Sequence, residues 1–125
     1  MKIYIGHSQG FDFEHEIYQP IRASQLNAEH EIILPHEGFD GTRNFVTKDI
    51  IKTCNVIIAE VSFPATGLGI ELGWADIFQR PIICIYRKNS KISGSLKAVC
   101  NNFVEYTGPD DLIKKLENTL RSLPG

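Results

Sequence analysis

The sequence predicts an α/β protein: a three-layer, flavodoxin/Rossmann-like sheet of five parallel strands in the order 2-1-3-4-5, with helices on both faces. Three observations carry this. Short apolar or β-branched runs alternate with amphipathic stretches along the whole chain, the pattern of strands joined by right-handed helical crossovers. The runs Asn55–Val61 and Ile82–Tyr86 are almost continuously apolar, as strands covered on both faces are. No repeat, low-complexity segment or linker interrupts the alternation, so residues 1–125 read as one domain.

The elements follow in order. Lys2–Gly6 is a short β-rich run that stops at glycine before the polar His7-Ser8-Gln9-Gly10, a first strand and its loop. Phe13–Ala28 puts Phe13, Ile17, Ile21 and Leu26 on a helical stripe, with Asp12 as N-cap and Pro20 as a kink or break. Glu31–Leu34 is a second strand stopped by Pro35, and His36–Arg43, polar and rich in glycine, is a loop. Asn44–Cys54 reads as a second helix whose Val46, Ile50, Ile51 and Cys54 share a face with Thr47 in its middle and Asp49 to the side. Asn55–Val61 is the central strand; Gly69–Gln79 is a third helix, ended by Arg80-Pro81 before the strand Ile82–Tyr86. After the basic loop Arg87–Lys91, Ile92–Cys100 reads as a short helix and Asn102–Tyr106 as an edge-like fifth strand. Gly108-Pro109-Asp110 starts a last helix with Leu112, Ile113, Leu116 and Leu120 on one face.

Composition narrows the function classes. A net charge of −2 argues against a nucleic-acid or anionic-membrane surface. No apolar run reaches the roughly 18 to 20 residues a membrane span needs, and Met1–Ile5 starts as a strand and not as a signal peptide, so a cytoplasmic protein is expected. Cys54, Cys84 and Cys100 are odd in number and widely spaced, and read as small buried hydrophobes in a reducing compartment. No spacing of His, Cys or carboxylates supports a metal site, and none is expected.

In sheets of this topology ligands bind beyond the carboxyl ends of the strands, at the switch point between the first and third. The loops there are His7–Gly10 and Ser62–Gly69, with His36 and Glu37 nearby. The turn Pro64–Gly69 is neither a Walker loop nor a GxGxxG fingerprint, and it follows the third strand, which disfavours ATP and NAD. Its glycines let a ligand approach the free backbone N–H groups of the next helix. Glu71 stands out in the apolar run Leu68–Ala75. It is either a carboxylate favoured by the helix dipole, worth about 0.3–1 kcal/mol, or a group facing the ligand.

The run Ala59-Glu60-Val61, then Pro64, then Gly67-Leu68-Gly69-Ile70-Glu71-Leu72-Gly73, with Tyr4 and Ser8 ahead of it, resembles the nucleoside 2-deoxyribosyltransferase family. The likeness is nearest to its deoxynucleoside 5′-monophosphate N-glycosidase branch. It runs from the first strand to the loop after the fourth and is specific in the Ala59–Ala75 block. It implies that Glu71 is the nucleophile at C1′ of the sugar, that Tyr4 orients it, and that Gly67 and Gly69 let the sugar or a 5′-phosphate lie against the backbone. Ser95 matches a serine that a neighbouring subunit contributes in that branch, which makes a homodimer or a multiple of one the expected assembly. Three positions depart from the pattern: Thr47 stands where the family has a sugar-contacting aspartate, Ala65 where the phosphate-binding branch has serine, and Gly10 where it has arginine.

The candidate site is therefore Glu71 as catalytic residue, with Tyr4, His7, Ser8, His36, Gly67, Gly69 and Ser95 binding substrate, and with no cofactor. His7 and His36 are placed to contact a base or protonate its leaving nitrogen; Phe11, Phe13 and Trp74 either stack on a base or belong to the core. The leading function is cleavage or transfer of the N-glycosidic bond of a small-molecule nucleoside or nucleotide. A non-catalytic nucleotide-binding or signalling module of the same fold is the alternative, and a TIR-like enzyme acting on NAD is a third reading.

Overall fold

The computed structural model describes residues 1–37 and 47–123. Five strands, β1 (Lys2–His7), β2 (Glu31–Ile33), β3 (Val56–Glu60), β4 (Ile82–Arg87) and β5 (Phe103–Tyr106), form one sheet in the order β2-β1-β3-β4-β5. Every neighbouring pair is parallel, as expected from the alternation of elements. Tyr4 pairs with Ile57, Gly6 with Ala59 and His7 with Glu60, so the carboxyl ends of β1 and β3 finish side by side.

Successive residues of a strand point to opposite faces, and the core divides accordingly. Ile3, Ile5, Val56, Ile58, Ile83 and Ile85 meet the helices that flank β2 and close the chain, through Ile17, Tyr18, Ile21, Leu26, Leu112, Leu116 and Leu120. Tyr4, Ile57, Ala59, Ile82 and Cys84 meet α3 (Thr47–Thr53) and α4 (Thr66–Ile77) through Ile51, Cys54, Leu68, Leu72 and Ala75. The three cysteines are buried and unbridged, in the role expected of them. No helix of the described residues is long and apolar enough to cross a membrane.

Several boundaries differ from expectation: β1 runs on to His7 and β4 to Arg87, both expected in loops, and four differences are larger. The first long helix is broken: a π-turn over Glu14–Tyr18 leads into the helix α1 (Gln19–Arg22), and α2 (Gln25–Glu29) begins afresh. Pro20 has no N–H and crowds the carbonyl four residues back, and the backbone ahead of it widens so that the Gln19 N–H reaches Glu14 O. The break itself falls at Ser24, whose hydroxyl caps the Leu26 N–H at 3.2 Å. Asp12 does act as a cap, accepting from the His15 N–H at 3.3 Å. α4 starts at Thr66, three residues before the predicted Gly69, so Gly67 and Gly69 lie in its first turns instead of ahead of it. The expected helix Ile92–Cys100 is a 3₁₀ turn, Gly94–Ala98, and the fifth strand begins at Phe103. The last helix, α5 (Pro109–Arg121), buries Leu112, Leu116 and Leu120 as its spacing requires. Val46 and most of the loop after His36 lie outside the described residues.

Candidate active site

Glu71 sits in the second turn of α4, on the side of the helix turned toward β1. The Tyr4 hydroxyl donates to its Oε2. Oε1 lies beside Gly6, 3.3 Å from where a Cβ at that residue would stand, and Leu68 Cδ1 would be 2.8 Å from the same point. A side chain at residue 6 would therefore push on α4 and its carboxylate, which explains glycine in a buried strand. The Thr47 side chain, at the start of α3, hydrogen-bonds Tyr4. Because the single phenolic proton goes to Glu71, the Thr47 hydroxyl is the donor, and the chain of bonds runs Thr47 to Tyr4 to Glu71.

Burial pushes the Glu71 carboxyl above its ordinary pKa, and the bond from Tyr4 pulls it back. Burial first, and then the charge of Glu71, push the Tyr4 phenol well above its usual range, so it stays protonated and remains a donor.

The cavity in front of Glu71 has a volume of about 820 Å³. It collects Tyr4, His7, Ser8, His36 and Gly67 with Glu71, six of the eight expected site residues, and Thr47 and Trp74 besides. Gly69 and Ser95 line a second cavity of about 450 Å³ on the other side of the α4 N-terminus, with Lys91 and Ser93. Ala65 and Leu68 border both. A Cβ at Gly67 or Gly69 would meet nothing within 4 Å, so the backbone of that turn is open to a ligand. Ala65 begins α4 with no side-chain cap.

His7 is buried, at 6% exposure, and its hydrogen bonds fix its state. Nδ1 is 2.8 Å from the Ser8 carbonyl, an acceptor, so Nδ1 carries the proton. Nε2 then accepts from the Tyr18 hydroxyl at 2.6 Å, and Tyr18 in turn accepts the His36 backbone N–H at 3.0 Å. Burial lowers the His7 pKa to about 4. His7 is thus neutral at pH 7 with its one proton committed to the main chain, which removes it as proton donor to a leaving base and makes it a support for the cavity wall. The His36 ring packs 5.5 Å from that of His7, and burial lowers its pKa as well. Phe13 lies against His7 at 4.4 Å and Phe11 against Phe63 at 5.0 Å; both are wall packing and neither lines the cavity, unlike Trp74.

Gly6 and the linkage of Thr47 to Tyr4 add to the predicted set, and Trp74, read from sequence as either base-stacking or core, lines the cavity. A glycine within a buried strand run is the signal that could have marked Gly6. Among the described residues no group of three His, Cys, Asp or Glu side chains could hold a metal ion.

No family model matches the chain. It is 34% identical over 68 residues, half of its length, to a Trichoplax adhaerens protein provisionally named 2′-deoxynucleoside 5′-phosphate N-hydrolase 1. It is 33% identical over 72 residues to the human 5-hydroxymethyl-dUMP N-hydrolase. The matched stretches span 47% and 38% of those two proteins. In fold it is similar to a CMP N-glycosidase of Clostridium botulinum, with a TM-score of 0.68 and 20% identity over 94% of this chain and 99% of that one. A conserved protein of Enterococcus faecalis V583 is similar at 0.62 and 15% identity over 95% of this chain and 98% of that one. Partial sequence similarity to deoxynucleotide N-hydrolases and nearly full-length similarity of fold to a CMP N-glycosidase together bear out the chain's resemblance to the nucleoside 2-deoxyribosyltransferase family.

Proposed function

We propose that the chain cleaves, or transfers, the N-glycosidic bond of a (deoxy)nucleoside or nucleotide with Glu71 as nucleophile. The observation that carries this is the placing of one carboxylate, held by Tyr4 and set over Gly6, at the floor of a large cavity at the carboxyl ends of β1 and β3. The names of three of these relatives, two N-hydrolases and an N-glycosidase of nucleotides, support the reaction class.

With Oε2 engaged by Tyr4, Oε1 attacks C1′ while the C1′–N bond breaks and its electrons pass to the base. The departing nitrogen takes a proton from solvent, and His36 offers it a hydrogen bond. The glycosyl ester on Glu71 is then attacked at C1′ by water, giving the free sugar, or by a second base, giving a new nucleoside; either path restores the carboxylate. Ser8 and the backbone at Gly67 bind the sugar and its 5′ group, while His7 holds the wall behind them. Gly69 and Ser95 face away from Glu71 within one subunit, and Ser95 serves the site of a neighbouring copy. The exposed Ile70 and Ile77 on α4 form part of that homodimer contact. Residues 1–125 act as one catalytic domain, and the site of action is the cytoplasm.

The test is incubation with a panel of nucleosides and 5′-monophosphates and chromatography for free base. Release that is lost in Glu71→Ala supports the proposal; no release from any of them, or full activity in Glu71→Ala, sinks it. A binding module is the second reading, favoured by one observation: Thr47, Ala65 and Gly10, which replace the aspartate, serine and arginine of the family pattern, all line the cavity. Thermal stabilisation by a nucleotide without base release would select it.

A further inference from the structure

Arg87, the last residue of β4, does not line the Glu71 cavity, yet it joins the two segments that do. One wall is the loop after β1, through Ser8, Gln9 and Gly10; the other is the turn into α4, through Ala65 and Gly67. Phe11 directly follows the first wall and Phe63 shortly precedes the second. Their rings stack with centroids 5.0 Å apart and planes at 25°. The Arg87 guanidinium carbon lies 5.1 Å from the Phe11 centroid and 5.0 Å from that of Phe63, so one cation covers both rings.

The same residue is anchored at its other atoms. Its guanidinium donates to the Glu16 carboxylate, in the π-turn that continues the first wall. Its backbone N–H donates to Ser62 Oγ at 2.8 Å. The Ser62 N–H and hydroxyl donate to Glu60 at 2.6 and 3.0 Å, and the Tyr106 hydroxyl donates to the same carboxylate. Glu60 is fully buried, so this end of the turn is pinned to the sheet. The first loop is held at its start, where His7 donates to the Ser8 carbonyl at 2.8 Å and the Gly10 N–H donates to Ser8 Oγ at 3.0 Å. Beyond Gly10 it is tied to the turn through Phe11, Glu16 and Arg87.

We propose that Arg87 is a positioning residue for the Glu71 site: by clamping Phe11 against Phe63 and pairing with Glu16, it sets the spacing of the cavity walls and so the approach of the sugar to Glu71. This rests on the reading of the Glu71 cavity as the substrate site. A planar guanidinium can cover two rings and hydrogen-bond along its edge at once, whereas an ammonium can pair with Glu16 but not do both. Lysine is therefore not an adequate replacement.

The test combines kinetics of base release with hydrogen exchange by mass spectrometry on full-length wild type, Arg87→Ala, Arg87→Lys and Glu16→Gln. Both Arg87 variants should exchange faster in residues 9–13 and 62–68 and not in β1, β3 or β4. Their kcat should fall about 10- to 100-fold, with a smaller change in KM, as misplacement of a reacting group by about 1 Å does. Glu16→Gln, which removes the ion pair and keeps the ring contacts, should fall between wild type and the Arg87 variants in both exchange and kcat. Exchange or kcat changed more than in Arg87→Ala would count against the clamp. Wild-type exchange in both loops, exchange rising equally throughout the sheet, or full kcat in Arg87→Lys would overturn the proposal. If wild type releases no base from any substrate, the functional reading fails by itself, and the exchange pattern still decides whether Arg87 fixes the two walls.

Discussion

Replacing Tyr4 by phenylalanine should move the acid limb of the pH–rate profile to higher pH. Glu71 acts as an anion, and burial already holds its pKa above the ordinary carboxylate value; the Tyr4 hydroxyl bond is the influence that opposes this. A hydrogen bond to a charged group contributes about 1.5–3 kcal/mol, so its loss should raise the limb and cut kcat/KM on the acid side about 10- to 100-fold. The direction follows from the role. Below its pKa the carboxylate is protonated and cannot attack, so a higher pKa means activity is lost at a higher pH as the solution is acidified. Phenylalanine fills the same buried space, because Tyr4 is 1% exposed and its ring packs under α4. Thr47 loses its acceptor in the variant, at a cost on the order of 1 kcal/mol, so unfolding is measured alongside. The assay is kcat/KM for base release across the acid and neutral range, which reports the free enzyme. An unchanged limb, or one moved to lower pH, would refute the reasoning.

Three further outcomes are expected. Gly6→Ala places a Cβ 2.8 Å from Leu68 Cδ1 and 3.3 Å from Glu71 Oε1, so kcat should fall at least tenfold while the unfolding midpoint drops only modestly, read by kinetics and thermal melts. His7 has a folded pKa of about 4 against 6.5 unfolded, so its contribution is complete above pH 6.5 and is lost as pH falls toward 4. It amounts to on the order of 3 kcal/mol, and His7→Gln should flatten that part of the stability curve measured by urea unfolding at a series of pH values. Glu71→Gln should abolish base release and raise the melting temperature at pH 7. A carboxylate with a raised folded pKa stabilises only when protonated, and that stability is gone once pH exceeds the folded value, so the gain should vanish near pH 4.

The strand order and the two-faced core were legible because continuous apolar runs such as Val56–Ala59 admit few environments other than a covered central strand. Glu71 was legible for the opposite reason: a carboxylate in an apolar run beside glycines is costly without a task. The start of α4 was misread because glycine marks turns in a single sequence, whereas here Gly67 and Gly69 are tolerated inside the helix on a side where no side chain packs. The break at Ser24 was hidden by Pro20, the stronger local signal, although the capping hydroxyl decides where α2 begins. His7 looked in sequence like a contact to the base or a proton donor to its leaving nitrogen, since nothing local shows that Tyr18, eleven positions on, takes its Nε2. The Arg87 clamp joins residues from β4, the first loop and the turn after β3, and no window of sequence holds all three.

The claim at the centre is that Glu71 carries the sugar between the two steps. A nucleoside or nucleotide with 2-deoxy-2-fluoro-arabinose slows the second step, and intact-mass and peptide mass spectrometry can then locate the glycosyl group. The account predicts one added sugar per chain on the peptide containing Glu71, absent from Glu71→Ala. Base release from natural substrates with the sugar bound elsewhere, or undiminished release by Glu71→Ala, would contradict it.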